Sequence, residues 1–278
     1  MQINYYNFWP GFDPKSMTFF ETLFSEIPEI KKPIGVVSVF PNQVPNSIGD
    51  RSQFWVSYSG ECYSQPVSDN FDLHLIMDKE DPKQKIVSLP LFSVYAYLKD
   101  VWEKLYLPRK WSEKNKFCSM VVSNPSGSLR NYYFGKLSQY QRVDSWGRWL
   151  NNTGGLLPPG QEGTEDILGS YKFSLCFENN IRPYYLTEKL LHAYLAGAIP
   201  IYAGASASRE WLNPKAFLFL EDSTEEAEEK LLAQVRYLNE NPDAYREMWE
   251  QPLLKAPEIP KEMSLEYFRE KIRETLSV

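Results

Sequence analysis

The sequence predicts an α/β protein made of two doubly wound domains with a cleft between them. Short β-branched and aromatic runs alternate with helical apolar spacing, the pattern of parallel sheets covered by helices. The alternation occurs on both sides of a polar stretch, "PRKWSEKNK" at 108–116, which reads as an interdomain boundary. The chain has 278 residues, 43% of them hydrophobic and 24% charged, enough for two folded cores of ordinary size.

In "DPKSMTFFETLF" (13–24), Asp13 is placed to cap a helix and Pro14 to open it, with Met17, Phe20, Leu23 and Phe24 on one face. "IGVVSVF" (34–40) and "QFWVSYS" (53–59), bounded by Pro, Gly and Asn, are buried strands. From 89 to 107, helical spacing runs through Phe92, Tyr95, Leu98 and Trp102. Beyond the polar stretch the reading is a strand at 117–123, a helix at 128–139, a Gly/Asn-rich loop, a strand at 171–177, a helix at 187–196, strands at 198–202 and 216–220, and a helix at 224–240. Ser223 and Glu226 form a capping box for that last helix. A final amphipathic helix, "SLEYFREKIRETL", is free to pack on either domain. The expected division is 1–110, 111–255 and a helical tail 256–278.

The net charge of −6 opposes a nucleic-acid partner, since duplex binders carry surplus Lys and Arg. Cys62, Cys118 and Cys176 are odd in number and widely spaced, hence expected as buried free thiols. The start "MQINYYNFWPGFD" lacks a signal peptide's basic and apolar regions, and no run of about 18 apolar residues occurs, so a cytoplasmic protein is expected. There is no D-x-D triplet, and His74 and His192 form no His-based metal motif, so nothing demands a metal. Phosphate-loop and G-x-S-x-G signatures are missing as well.

The stretch "FENNIRPYYLTEKLL" (177–191) joins a strand to a helix capped by Thr187, at the carboxyl edge where α/β sheets bind ligands. Lys189 falls in the first helical turn, where the helix dipole disfavours a cation by a few tenths of a kcal/mol. A phosphate there would reverse the sign, held by backbone N–H groups and the ammonium, with Glu188 beside it to accept from vicinal hydroxyls. The same residues also read as a plain capped helix start with a solvated lysine.

Residues 171–204, "YKFSLCFENNIRPYYLTEKLLHAYLAGAIPIYAG", resemble the signature segment of the α1,3/α1,4-fucosyltransferases that use GDP-fucose. "VVSNPSGSLRNYYFGKL" (121–137) and "RVDSWGRWLNNTGG" (142–155) resemble the two blocks that precede it, and "FWVSYSGE" (54–61) resembles that family's N-terminal strand ending in an acid. The second half of the chain is covered closely and the first thinly. The resemblance implies two Rossmann-like domains of GT-B type, with donor in the second and acceptor in the first. It implies an inverting transfer of L-fucose from GDP-fucose to an N-acetylglucosamine-type hydroxyl, in α1,3 or α1,4 linkage.

By position, Lys189 and Arg130 resemble the cations that clamp the diphosphate, and Glu188 the acid that holds the ribose. Asn179 and Tyr185 would line the nucleoside or sugar, and Ser123, Asn124 and Glu178 are either wall residues of the donor site or local turn hydrogen-bonders. Glu61 is the implied general base; otherwise it is a surface acid after a Gly turn. Trp9, Tyr58 and Tyr63 either stack on a sugar ring or belong to the core. GDP-fucose is then a substrate and no cofactor is required, while divalent-metal stimulation stays open. Peripheral membrane association fits, and the oligomeric state is open. Two alternatives remain: a transferase using another GDP-sugar, and a non-catalytic glycan-binding module.

Overall fold

The computed structural model describes residues 2–40, 48–64, 66–157 and 167–277. The chain divides into two compact units, one comprising Met1–Asp100 with Ile259–Val278 and the other Val101–Glu258. The break therefore lies at Asp100 rather than at 110, and the C-terminal segment is part of the first unit rather than a separate tail. Asp100 adopts a left-handed backbone (φ 49°), which ends the expected 89–107 helix early. That region is a helix, Leu91–Leu98, followed by a separate 3₁₀ turn, Glu103–Leu105. The Leu105 carbonyl accepts the N–H groups of Leu253 and Leu254 (2.8 and 3.1 Å), tying this turn into the second unit.

In the first unit, strands β1 (Ile3–Tyr6), β2 (Ile34–Val37), β3 (Phe54–Ser59), β4 (Leu73–Ile76) and β5 (Ile86–Ser88) form a parallel sheet in sequence order, among the described residues. Asp13 caps a 3₁₀ turn, Pro14–Ser16, and helix α1 (Thr18–Phe24) follows it. One sheet face shares a core with Phe20, Leu23 and Phe24 of α1, Val94 of α2 (Leu91–Leu98) and Phe268 and Ile272 of the C-terminal helix, Leu265–Leu276. Arg269 of that last helix donates to the carbonyls of Thr22 (2.6 Å) and Leu23 (3.1 Å) at the end of α1. On the other sheet face, Trp55 lies so close to Gly35 that a Cβ there would sit 2.6 Å from its ring.

The second unit is also parallel. Strands β6 (Lys116–Met120), β7 (Val143–Ser145), β8 (Tyr171–Leu175), β9 (Ile199–Tyr202) and β10 (Leu218–Phe219) lie in the order β10-β9-β8-β6-β7 among the described residues. Read in chain order this is 2-1-3-4-5, a doubly wound sheet whose direction of winding reverses between β6 and β8. Helices α3 (Ser128–Tyr140), α4 (Glu188–Leu195), α5 (Ser208–Trp211), α6 (Glu225–Glu240) and α7 (Pro242–Trp249) follow its strands. Phe117, Met120, Phe173, Ile199 and Ile201 of the sheet share their core with Tyr133 and Leu137 of α3 and Leu231 and Val235 of α6.

The cap of α6 is Thr224, one residue beyond the expected Ser223. Its hydroxyl accepts from Ala227 N–H (3.3 Å), and the Asp222 carboxylate takes the Thr224 N–H (2.8 Å), so the threonine is held in capping position. Among the described residues, no helix is long and apolar enough to cross a membrane.

Candidate functional site: the switch point of the second sheet

Where winding reverses, the loops leaving adjacent parallel strands turn to opposite faces and open a crevice at the carboxyl edge. Here those loops are 121–127, running from β6 into α3, and 176–187, running from β8 into α4. Ser123 and Asn124 stand on the first and Arg130 follows it in α3. Glu178, Asn179 and Tyr185 lie on the second, and Glu188 and Lys189 open α4. Every donor-side residue expected from sequence is thus drawn to one switch point.

Of the two readings of Glu178, local hydrogen bonding is the one seen: its side chain is fully buried, and its carboxylate accepts from Thr187 N–H (2.8 Å), the Thr187 hydroxyl (2.7 Å to Oε2) and the Tyr202 hydroxyl (3.3 Å). It also meets the Lys189 ammonium at 3.1 Å. The anion that a lysine at a helix N-terminus calls for is therefore built into the chain. Tyr202, at the end of β9, is fixed in turn by the Ala205 N–H (3.2 Å). A Cβ on Gly204 would strike both the Tyr202 hydroxyl and Glu178 Cγ, so this knot needs glycine there. Sequence reading missed Tyr202 and Gly204; "YAG" directly after a strand was the available signal.

Arg130 is likewise recessed, with 0% of its surface exposed. Its Nη1 donates to Asn179 Oδ1 (2.6 Å), joining the two loops across 49 positions of sequence. Its Nη2 donates to the carbonyls of Asn124 (2.8 Å) and Ser126, so the guanidinium shapes the β6–α3 loop from beneath. Gly127, at φ 108°, makes the turn into α3. Gly147, after β7, lies against the Val122 backbone so closely that any Cβ would collide with it.

Burial works against each charge, and the outcome depends on its neighbours. For Glu178 burial wins and raises the pKa, although Lys189 opposes it. For Lys189 burial is outweighed by the Glu188 and Glu178 carboxylates, so the ammonium is held firmly protonated. Glu188 ends below the usual carboxylate range because Lys189 and His192 overcome burial. For Arg130 burial lowers the pKa against the pull of Glu178 and Tyr185.

Two cations and two carboxylates so balance one another. The side chains left open to solvent here are Ser123, Asn124, the half-buried Asn179, the Glu188 carboxylate (25% exposed, 3.7 Å from Lys189 Nζ) and the edge of Lys189 (16% exposed). Tyr185 is buried beside them, and Arg130 and Glu178 lie behind. Among the described residues, no cluster of three or more His, Cys, Asp or Glu is arranged to hold a metal ion.

Glu61, in the first unit, follows β3 through Gly60 and is half-buried. Its N–H donates to Ser59 Oγ (3.1 Å), and the same hydroxyl donates to the Tyr63 carbonyl, so a serine turn fixes the backbone that carries the acid.

Residues 111–257 match the C-terminal domain of glycosyltransferase family 10 (fucosyltransferase). The alpha-(1,3)-fucosyltransferase FucT of Helicobacter pylori is 34% identical over 143 residues, covering 50% of this chain and 28% of that protein. The 4-galactosyl-N-acetylglucosaminide 3-alpha-L-fucosyltransferase FUT6 of Homo sapiens is 30% identical over 191 residues, covering 65% and 49%. The chain spans half or less of the length of these relatives. A crystal structure of alpha1,3-fucosyltransferase with GDP-fucose superposes with a TM-score of 0.73 at 21% identity, covering 100% of this chain and 90% of that one, a likeness of fold. With a family match over 111–257, which contains the whole switch-point cluster, the chain belongs to glycosyltransferase family 10, the fucosyltransferases.

Proposed function

We propose that this chain transfers L-fucose from GDP-fucose to a hydroxyl of an N-acetylglucosamine-type glycan, with inversion and in α1,3 or α1,4 linkage. The observation that carries the reading is the cluster at the β6/β8 switch point, lying inside the residues matched to the family. The relatives named above point the same way, one to a galactosyl-N-acetylglucosaminide acceptor and the fold neighbour to GDP-fucose.

In this reading the diphosphate sits at the N-terminus of α4, taking charge-assisted hydrogen bonds from the exposed edge of Lys189. Glu188 accepts from the ribose hydroxyls, and Asn179, oriented by Arg130, lines the site with Ser123 and Tyr185. Glu178 does not touch the donor; it positions Lys189 and the Thr187 cap. As the bond to fucose breaks, negative charge grows on GDP, and fixed cations already in place stabilise it without reorganising. Glu61 takes the proton of the attacking hydroxyl. Transfer is expected to proceed in EDTA.

The test is incubation with GDP-fucose and a panel of N-acetylglucosamine-containing glycans, with product linkage read by mass spectrometry and NMR. The expected result is a single fucosylated linkage. Glu61→Gln is expected to reduce turnover at least about a hundredfold, the size of a lost general base, with GDP affinity kept. Turnover with another GDP-sugar but not GDP-fucose would redirect the donor assignment, and full turnover in Glu61→Gln would remove Glu61 as the base.

A further inference from the structure

The exit of β1 in the first unit presents a tryptophan that core packing does not use up. Trp9 is 39% exposed, yet its ring is held by three others: Phe8 at 5.7 Å, Phe12 at 4.9 Å and Phe40 at 6.1 Å between centroids. The backbone beneath is equally defined. Asn7 is buried and left-handed (φ 55°), a conformation asparagine tolerates better than most residues, and Gly11 is left-handed too (φ 79°). Phe12 N–H donates to the Trp9 carbonyl (3.1 Å), and Phe40 N–H to the Asn7 carbonyl (3.0 Å). Phe8 also stacks on Tyr58 of β3 at 6.0 Å, coupling this loop to the strand that leads to Glu61. A lone exposed indole is ordinary on a protein surface; what marks Trp9 is its fixed support together with its place in the sheet.

β1, β2 and β3 are neighbours in a parallel sheet, so the exits of β1 and β3 share the carboxyl edge roughly 10 Å apart, room for one sugar ring. Trp9 follows β1; Glu61 and the 52% exposed Tyr63 follow β3. Burial first and the Glu61 charge second raise the Tyr63 pKa, which puts that ring in the field of the acid. An aromatic face together with a carboxylate suits a pyranose, whose axial C–H groups present an apolar side and whose hydroxyls lie at the rim.

We propose that Trp9 is an acceptor-binding residue, stacking on the apolar face of the sugar ring whose hydroxyl meets Glu61. This rests on the glycan-acceptor reading above, and its test is arranged so that the two fail separately. Fluorescence titration with N,N′-diacetylchitobiose and with N-acetyllactosamine measures glycan binding without turnover, in the wild-type chain, Trp9→Ala and Trp9→Phe. Initial rates with GDP-fucose give acceptor and donor KM for the same proteins.

The proposal expects glycan Kd and acceptor KM to rise at least about tenfold in Trp9→Ala and to be partly restored in Trp9→Phe, while donor KM and GDP affinity hold. Trp9-dependent glycan binding in a chain that transfers no fucose would support Trp9 as the stacking residue of a glycan site and sink the transferase reading, with it the acceptor role. Equal glycan Kd in wild type and Trp9→Ala overturns it, as does a parallel loss of glycan and GDP binding, which would mean that Trp9 only packs.

Discussion

At the scale of single residues, burial is what sequence could not display. Lys189 was legible as a cation at the wrong end of a helix dipole, but its partner Glu178 was not, because the carboxylate comes from the preceding strand exit and is enclosed by Tyr202 and Thr187. Arg130 was legible as a cation near the site, and its recess behind Asn179 was not. His74, in β4 next to the edge strand β5, is fully buried, and burial lowers its pKa, with the Lys85 charge adding to the shift. Because the folded-state value lies below the ordinary 6.5, the unfolded chain binds the proton first as pH falls. The stability His74 contributes is thus intact above about pH 6.5 and lost progressively below it. Urea midpoints should fall between pH 7.5 and 5.5 in the wild type and fall less in His74→Leu. Equal slopes would show that His74 is not the titrating group.

At the scale of elements, strong periods survived translation into structure and short ones did not. α3, α4 and α6 stand where helical spacing predicts, the cap of α6 one residue later than expected, and the short β2, β9 and β10 are legible as apolar runs, whereas β1, β4, β5 and β7, three or four residues each, show no such signal. What holds the switch-point loops together is close approach. Gly147 lets the segment after β7 lie on Val122, whose carbonyl also accepts the Trp149 N–H (3.0 Å). Gly147→Ala should therefore cost at least roughly 1–3 kcal/mol of stability, the range for overpacking, and weaken GDP binding because the 121–127 loop must shift. Chemical denaturation paired with GDP titration checks both, and a wild-type urea midpoint would show that the loop has slack.

At the scale of the whole molecule, two parallel α/β units were legible from the repeated alternation, and their boundaries were not. The polar stretch 108–116 marks a surface, but Arg109 within it packs on the Tyr194 and Trp249 rings (4.1 and 4.6 Å) and donates to the Ala198 carbonyl (3.0 Å), so it belongs to the second unit. The amphipathic tail had no sequence mark for its partner; its apolar face fills the first unit's core through Phe268 and Ile272. Phe268→Ala should cost about 3–5 kcal/mol, and hydrogen exchange should show the lost protection in the first unit's β strands while β6, β8 and β9 keep theirs. Loss spread evenly over both units would contradict that division. The central claim is that the α4 N-terminus is a GDP-sugar site built on Lys189, and calorimetric titration of GDP tests it most directly. Wild type is compared with Lys189→Met paired with Glu178→Gln, a variant that keeps the buried site neutral. The account predicts that wild type binds GDP and that the paired variant binds about ten- to a hundredfold more weakly, the size of a lost charged hydrogen bond. Equal affinity in the two proteins, or no GDP binding by the wild type, would contradict it.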